Sequence, residues 1–171
     1  AQNGVQNTST AAIAKRAGSA AGTLFLYFPT KQDLVNELVL QISRENSAYI
    51  KSKLSPDMSV RDTFWAIWEG YIRWFLEHKD AYQYVRQIMD SGSVSEAVSR
   101  ETGKNLDYYF AAIQKGLAAG AIKSYPVELV GGVLYQDIVA VMNLIAEDID
   151  PAKREELIRA GFEIFWNGIR N

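Results

Sequence analysis

The chain has 171 residues with 18 basic and 20 acidic side chains, a net charge of −2, one histidine (His78) and no cysteine. That length can bury a core, while the composition excludes a disulfide framework, a thiolate metal site, a cysteine nucleophile and a histidine cluster. The overall charge carries no nucleic-acid signal, so any DNA contact has to be local.

Four prolines and long stretches in which apolar residues recur every third or fourth position predict an all-α chain. Turn residues at Gly18-Ser19, Pro29-Thr30, 55–59, 78–80, 91–93, 123–126 and 148–151 divide it into about eight helices. Residues 8–28 hold two short helices around a tight glycine turn. The first opens on the capping residues Ser9 and Thr10, sets Ile13 and Ala17 on one face, and ends at Gly18, a residue suited to a left-handed C-terminal turn. The second runs from Ala20 to Phe28. Helix, tight turn, helix is the geometry that lays a second helix in the major groove.

On the second helix Leu24 and Phe28 share the inward face, Gly22 and Leu26 the outward one, and Thr23 and Tyr27 flank it. A mid-helix glycine costs roughly 1 kcal/mol relative to alanine, and backbone lying against DNA is a reason to accept that cost. Leu26 suits a thymine methyl. Thr23 and Tyr27 can donate to phosphate, and Lys31 adds charge at the start of the next helix.

The runs Ile13-Ala14-Lys15-Arg16-Ala17-Gly18, Gly22-Thr23-Leu24-Phe25-Leu26-Tyr27-Phe28 and Lys31-Gln32-Asp33-Leu34 resemble the motif of the TetR family of transcriptional regulators. The resemblance implies that the Gly22 to Tyr27 segment is a recognition helix, that Lys31 contacts phosphate, and that Ser9, Lys15, Gly22, Thr23, Phe25, Leu26, Tyr27 and Lys31 form the DNA-binding set. Three departures accompany it. Ser19-Ala20-Ala21 stands where the family usually has Val-Ser-Lys, which removes a serine cap and a basic side chain and leaves Ser19 as the alternative cap. Phe25 stands in place of the usual tyrosine. Ala1-Gln2-Asn3-Gly4 resembles the end of the family's first helix, which implies that most of that helix and any basic arm before it are missing from this sequence.

Thr30 to about Leu54 reads as one long helix capped by Thr30 with Asp33 as its acidic third residue. Residues 1–46 form the DNA-binding head together with the start of this connector. They carry four basic side chains (Lys15, Arg16, Lys31, Arg44) against three acidic ones (Asp33, Glu37, Glu45). Residues 47–171 form a helical-bundle domain for ligand binding and dimerisation. Its aromatic centre is 64–84, where Phe64, Ile67, Trp68, Tyr71 and Phe75 make one stripe and Trp65, Ile72 and Leu76 another. Such a stripe is either plain core or the wall of a pocket. Trp and Tyr groups that need hydrogen-bond partners favour the pocket.

A second aromatic face, Leu106, Tyr109, Phe110, Ile113 and Leu117, with Gln114 beside it, can close that pocket. Asp137 falls between Val130, Leu134, Val141 and Leu144 on the helix from Pro126 to about Ala146. A carboxylate there has to be paired or solvated, by a salt bridge, by a hydrogen bond at a dimer interface, or by a cationic effector. The ligand-binding candidates are therefore Trp65, Trp68, Tyr71, Phe75, Tyr109, Phe110, Gln114 and Asp137.

The last helix sets Ile158, Phe162, Phe165 and Ile169 on one stripe and Leu157, Gly161, Ile164 and Gly168 on its neighbour. The family resemblance implies that the last two helices pair with their symmetry mates, with Leu157, Gly161, Ile164 and Gly168 in the interface. A core within the subunit is the other reading.

No Ser/His/Asp set, no carboxylate-histidine metal spacing and no phosphate loop is present, so no enzyme, metal site or cofactor is expected. Neither a membrane span nor a signal peptide is expected, which points to a cytoplasmic protein. The whole reading is of a homodimeric regulator, a repressor that leaves a palindromic double-stranded operator when a small-molecule effector binds. The alternative is a helical ligand-binding protein or adaptor with weak or no DNA binding.

Overall fold

The computed structural model describes residues 8–92, 94–145 and 149–171. Residues 1–4, expected to end a first helix, lie outside the described residues, as do Ser93 and the 146–148 part of the last expected turn. Among the described residues the chain forms nine helices and no named strand: α1 (Thr10–Arg16), α2 (Ala21–Tyr27), α3 (Lys31–Lys51), α4 (Val60–Glu77), α5 (Lys79–Asp90), α6 (Glu96–Lys104), α7 (Asp107–Ala118), α8 (Val127–Leu144) and α9 (Pro151–Ile169). The boundary that the sequence hides lies between α6 and α7. No Pro marks it, and Gly103 falls inside α6. Asn105 caps α6 there, and its amide donates to the Ser43 hydroxyl at 2.9 Å.

Local chemistry sets the other ends. At α3, Asp33 accepts from the backbone N–H of Thr30 at 2.9 Å while the Thr30 hydroxyl accepts from the Asp33 N–H at 3.1 Å, a reciprocal capping box. Ser59 and Asp62 cap α4, the Asp62 N–H donating to the Ser59 hydroxyl at 3.1 Å. Asp150 takes the Ala152 and Lys153 N–H groups at 2.9 and 3.1 Å, with Pro151 in the first turn of α9. α3 stops at Lys51, three residues short of Leu54, because Lys53 and Leu54 turn their N–H groups to carbonyls three residues back, at 2.9 and 3.2 Å. Such tightening ends an α-helix.

The chain divides into two compact units. Among the described residues the first comprises 8–45 and 75–105, and the second 46–74 and 106–171. Residues 75–105, which the sequence assigns to the second domain, therefore fold with the first unit. The reason is the apolar face of α3: Val35 and Val39 are buried against Ile88 of α5 and Val98 of α6, with Leu40, Tyr84 and Val94 around them. The Tyr84 hydroxyl donates to the Val35 carbonyl at 2.9 Å, and burial pushes its pKa up to about 12.

In the second unit α4 and α9 share an aromatic core. Phe64 and Trp68 are fully buried with Phe162 and Phe165. Trp65 meets the Phe162 ring edge-on at 5.0 Å, and Trp68 stacks on Phe165 at 6.4 Å. The Trp68 indole N–H donates to the Ile158 carbonyl at 3.0 Å, so its one polar atom is satisfied inside the core. Arg73 grips Glu155 through both of its terminal nitrogens, at 2.6 and 2.5 Å. This pairing holds the Glu155 carboxyl below its ordinary range.

Among the described residues one helix, α8 (Val127–Leu144), is long and apolar enough to cross a membrane by length and composition alone, as the core helix of a protein outside any membrane can also be.

Candidate functional site

In α1 the Ser9 hydroxyl accepts from the Ala12 N–H at 3.2 Å. At the other end Gly18 takes φ +68°, a conformation that a Cβ disfavours. This lets Ser19 N–H reach the Ala14 carbonyl at 2.9 Å and Gly18 N–H the Lys15 carbonyl at 3.2 Å. Those two bonds are the Schellman closure that reverses the chain into the next helix.

α2 then begins on Ala20 with no side-chain cap. Ser19, the expected substitute, does not cap it, and its hydroxyl turns to the Ala20 carbonyl at 3.4 Å. The outward face stands as the sequence predicts. Leu26 is 83% exposed, Tyr27 75% and Phe25 45%, and Gly22, Thr23 and Lys15 are exposed beside them. A Cβ on Gly22 would meet nothing within 4 Å, so among the described residues this glycine serves no packing contact. Lys31, at the start of α3, is half-buried.

A cavity of about 320 Å³ opens between α4, α7 and α8. Tyr71, Tyr109 and Phe110, three of the predicted ligand residues, line it together with Tyr108, Tyr135, Leu134 and Ile138. Glu128 is the one charged side chain among its lining residues. The Tyr109 hydroxyl donates to the Gly131 carbonyl at 2.6 Å, and burial raises the Tyr109 and Tyr108 pKa values well above the phenol range. Tyr71 and Tyr135 meet edge to face at 6.4 Å.

The other five predicted ligand residues are not among the lining residues, each for a physical reason. Trp68 is consumed by the α4–α9 core, and Phe75 is buried in the first unit with its ring edge-on to Tyr82 at 5.5 Å. Trp65 leans on Phe162 and borders a separate, charged surface groove with Arg61, Glu69, Arg159 and Glu163. Gln114 is exposed on the outer side of α7. Asp137 is half-buried, and burial alone raises its carboxyl pKa.

Two helices present apolar side chains that their own unit leaves uncovered. On α8 these are Leu129, Val133 and Leu144, and on α9 Ile164, which is 73% exposed. Gly168 is exposed and Leu157 half-buried. Gly161 belongs elsewhere. A Cβ there would collide with Val141 and lie 2.9 Å from Trp68, so its close approach is to the subunit's own α8 and α4. For Gly161, expected in the interface with Leu157, Ile164 and Gly168, that approach favours the other reading, a core within the subunit.

Residues 1–38 match the family of bacterial regulatory proteins, tetR family, and residues 39–171 match the tetracyclin repressor-like C-terminal domain. The chain belongs to the TetR family. It is thus a DNA-binding transcription regulator with a helix-turn-helix head, and not an enzyme. Its relatives agree with TetR membership. The uncharacterized HTH-type transcriptional regulator YhgD of Bacillus subtilis (strain 168) is 21% identical over 143 residues, which cover 82% of this chain and 75% of that protein. A tetR family protein from Shewanella sp. PV-4 superposes with a TM-score of 0.88 at 25% identity, over 98% of this chain and 89% of that one. A TetR family transcription regulator from Marinobacter aquaeolei VT8 shares the fold with a TM-score of 0.79 at 21% identity, over 96% and 85% of the two chains.

Within this TetR-family chain the cavity residues that the sequence reading missed are mostly on α8. Val127, Gly131, Leu134 and Ile138 recur at helical spacing and line the cavity. The signal lay in the Gly131-Gly132 pair: a Cβ at Gly131 would sit 3.1 Å from the Tyr109 ring, and that absence of side chain lets α7 and α8 frame an open space.

Proposed function

We propose that this chain is a homodimeric repressor that binds a palindromic DNA operator and leaves it when a small molecule fills the cavity between α4, α7 and α8. In this reading residues 1–46 carry DNA binding, through Ser9, Lys15, Gly22, Thr23, Phe25, Leu26, Tyr27 and Lys31, and residues 47–171 carry ligand binding and dimerisation. The observation that carries it is the apolar, aromatic-walled cavity of about 320 Å³. Its size and lining suit a small organic ligand and serve no evident packing purpose, since interiors are otherwise close-packed.

The release step follows from linkage. A ligand that fits best when α3 has swung favours a separation of the two heads that no longer matches successive turns of the groove. Dimerisation is supported by the uncovered apolar residues Leu129, Val133 and Leu144 of α8 and Ile164 of α9. Asp137, which helical spacing sets beside Val133, Ala140 and Leu144, joins that face in this reading. The same pairing accounts for the apolarity of α8 without a membrane, and a DNA operator as target assigns the protein to the cytoplasm.

The test has two arms. Compounds that raise the melting temperature should weaken binding to a selected duplex, and Gly132→Leu, which fills the cavity from a lining position, should abolish the melting shift while leaving duplex binding intact. Compounds whose effect survives in Gly132→Leu would show that they act elsewhere. For the dimer, sedimentation of Ile164→Glu should give a folded monomer; an unchanged dimer would remove α9 from the interface.

A further inference from the structure

α2 reads Ala21-Gly22-Thr23-Leu24-Phe25-Leu26-Tyr27, without one arginine, lysine, asparagine, glutamine, aspartate or glutamate. Those six side-chain types make the hydrogen bonds that tell bases apart in the major groove: Arg or Lys on guanine, Asn or Gln on adenine, Asp or Glu on cytosine. A groove that receives α2 therefore meets none of them on that helix. It meets instead Leu26, the most exposed large apolar side chain among the described residues, with the Phe25 ring 45% exposed one position away. Two hydroxyls, of Thr23 and Tyr27, complete the surface. The open space around Gly22 puts no side chain between the helix backbone and a partner.

The apolar group that a base pair presents in the major groove is the 5-methyl of thymine. On the reading given above, in which α2 is the helix that enters the groove, we propose that this protein specifies its operator through thymine methyl groups packed against Leu26 and Phe25. The Thr23 and Tyr27 hydroxyls go to phosphate or base acceptors without discriminating strongly between them. Each half-site then contains thymine where Leu26 lands, and its remaining selectivity comes from the shape and deformability of the duplex. Electrostatic attachment is left to groups outside α2, with Lys15 and Arg16 exposed in the last turn of α1.

The proposal is tested on the whole protein with a duplex selected from a random pool, by replacing each thymine of one half-site in turn with deoxyuridine, which removes only the methyl. Affinity should fall about fourfold at the position Leu26 meets, the loss expected for one buried carbon group. The slope of affinity against salt should be unchanged. Leu26→Ala should bind the thymine and deoxyuridine duplexes equally. Deoxyuridine duplexes that all bind as tightly as the parent, or a Leu26→Ala protein that still discriminates, would overturn methyl readout while leaving α2 as the DNA-binding helix. A protein that retains no duplex from the pool, or whose binding ignores salt, would overturn the DNA-binding reading together with this inference.

Discussion

The same kinds of side chain are used in opposite ways in α2 and α4. Phe64 and Trp68 of α4 are fully buried, and the one polar atom of Trp68 is satisfied by the Ile158 carbonyl. Phe25, Leu26 and Tyr27 of α2 stand in solvent at 45%, 83% and 75% exposure. The difference lies in what faces them. α4 has α9 against it, with Phe162 and Phe165 interlocked with its rings. Among the described residues, nothing of its own unit lies over the outward face of α2. An aromatic or aliphatic residue therefore reports function only once its internal partners are known, and among the described residues none buries these three of α2.

The sharpest break in this comparison comes from truncating one residue on each side. Trp68→Ala should cost about 3–5 kcal/mol in urea unfolding, since it removes a buried indole and leaves the Ile158 carbonyl short of its donor. Leu26→Ala should leave unfolding unchanged within about 0.5 kcal/mol, as an exposed position does. Comparable losses at both sites would erase the distinction.

Gly161→Ala is next in size. Its new Cβ would press on Val141 and Trp68, and overpacking of that kind costs about 1–3 kcal/mol. On the proposed homodimer, sedimentation should find the variant unchanged in oligomeric state, because that contact lies within the subunit. A stable variant that has lost its partner would return Gly161 to the interface.

Ala20→Ser acts on the exposed side of the comparison. It supplies the side-chain cap that α2 lacks, and should stabilise the head by about 0.5–1 kcal/mol. Differential melting would register this as a rise in the head's transition; no rise would mean that Ala20 is not the effective cap position.

The smallest effect concerns Asp137, whose carboxyl pKa burial raises. A carboxyl raised in the folded state gives its full stabilisation below the unfolded pKa and loses it as pH rises through the folded value. The native protein therefore carries a small penalty at neutral pH. Asp137→Asn should raise the melting temperature at pH 7 and not at about pH 3, where the native carboxyl is already neutral. An equal gain at both pH values would assign the effect to something other than charge.

Much of this was legible in the sequence, and the gaps have physical causes. Capping chemistry is local, so Ser9, Gly18 and Thr30 with Asp33 could be read from neighbours in the chain. The exposed face of α2 followed from helical periodicity alone. Periodicity marks Trp68, Phe75 and Tyr71 as one stripe, yet which helix covers each of them is a tertiary fact. Trp68 and Phe75 went to cores and only Tyr71 to the cavity. Gly161 misled for the same reason, since a small residue signals close approach without saying to whom. The α6–α7 boundary escaped because Asn105 carries it through a bond to Ser43, which sequence spacing does not reveal.

The most direct test of the central claim, that the exposed face of α2 exists for DNA, is the affinity of folded Leu26→Ala for a duplex selected by the native protein. The account predicts a loss of at least about fourfold, the worth of one buried carbon group, in a protein whose melting temperature has not moved. Native affinity in that variant would contradict it.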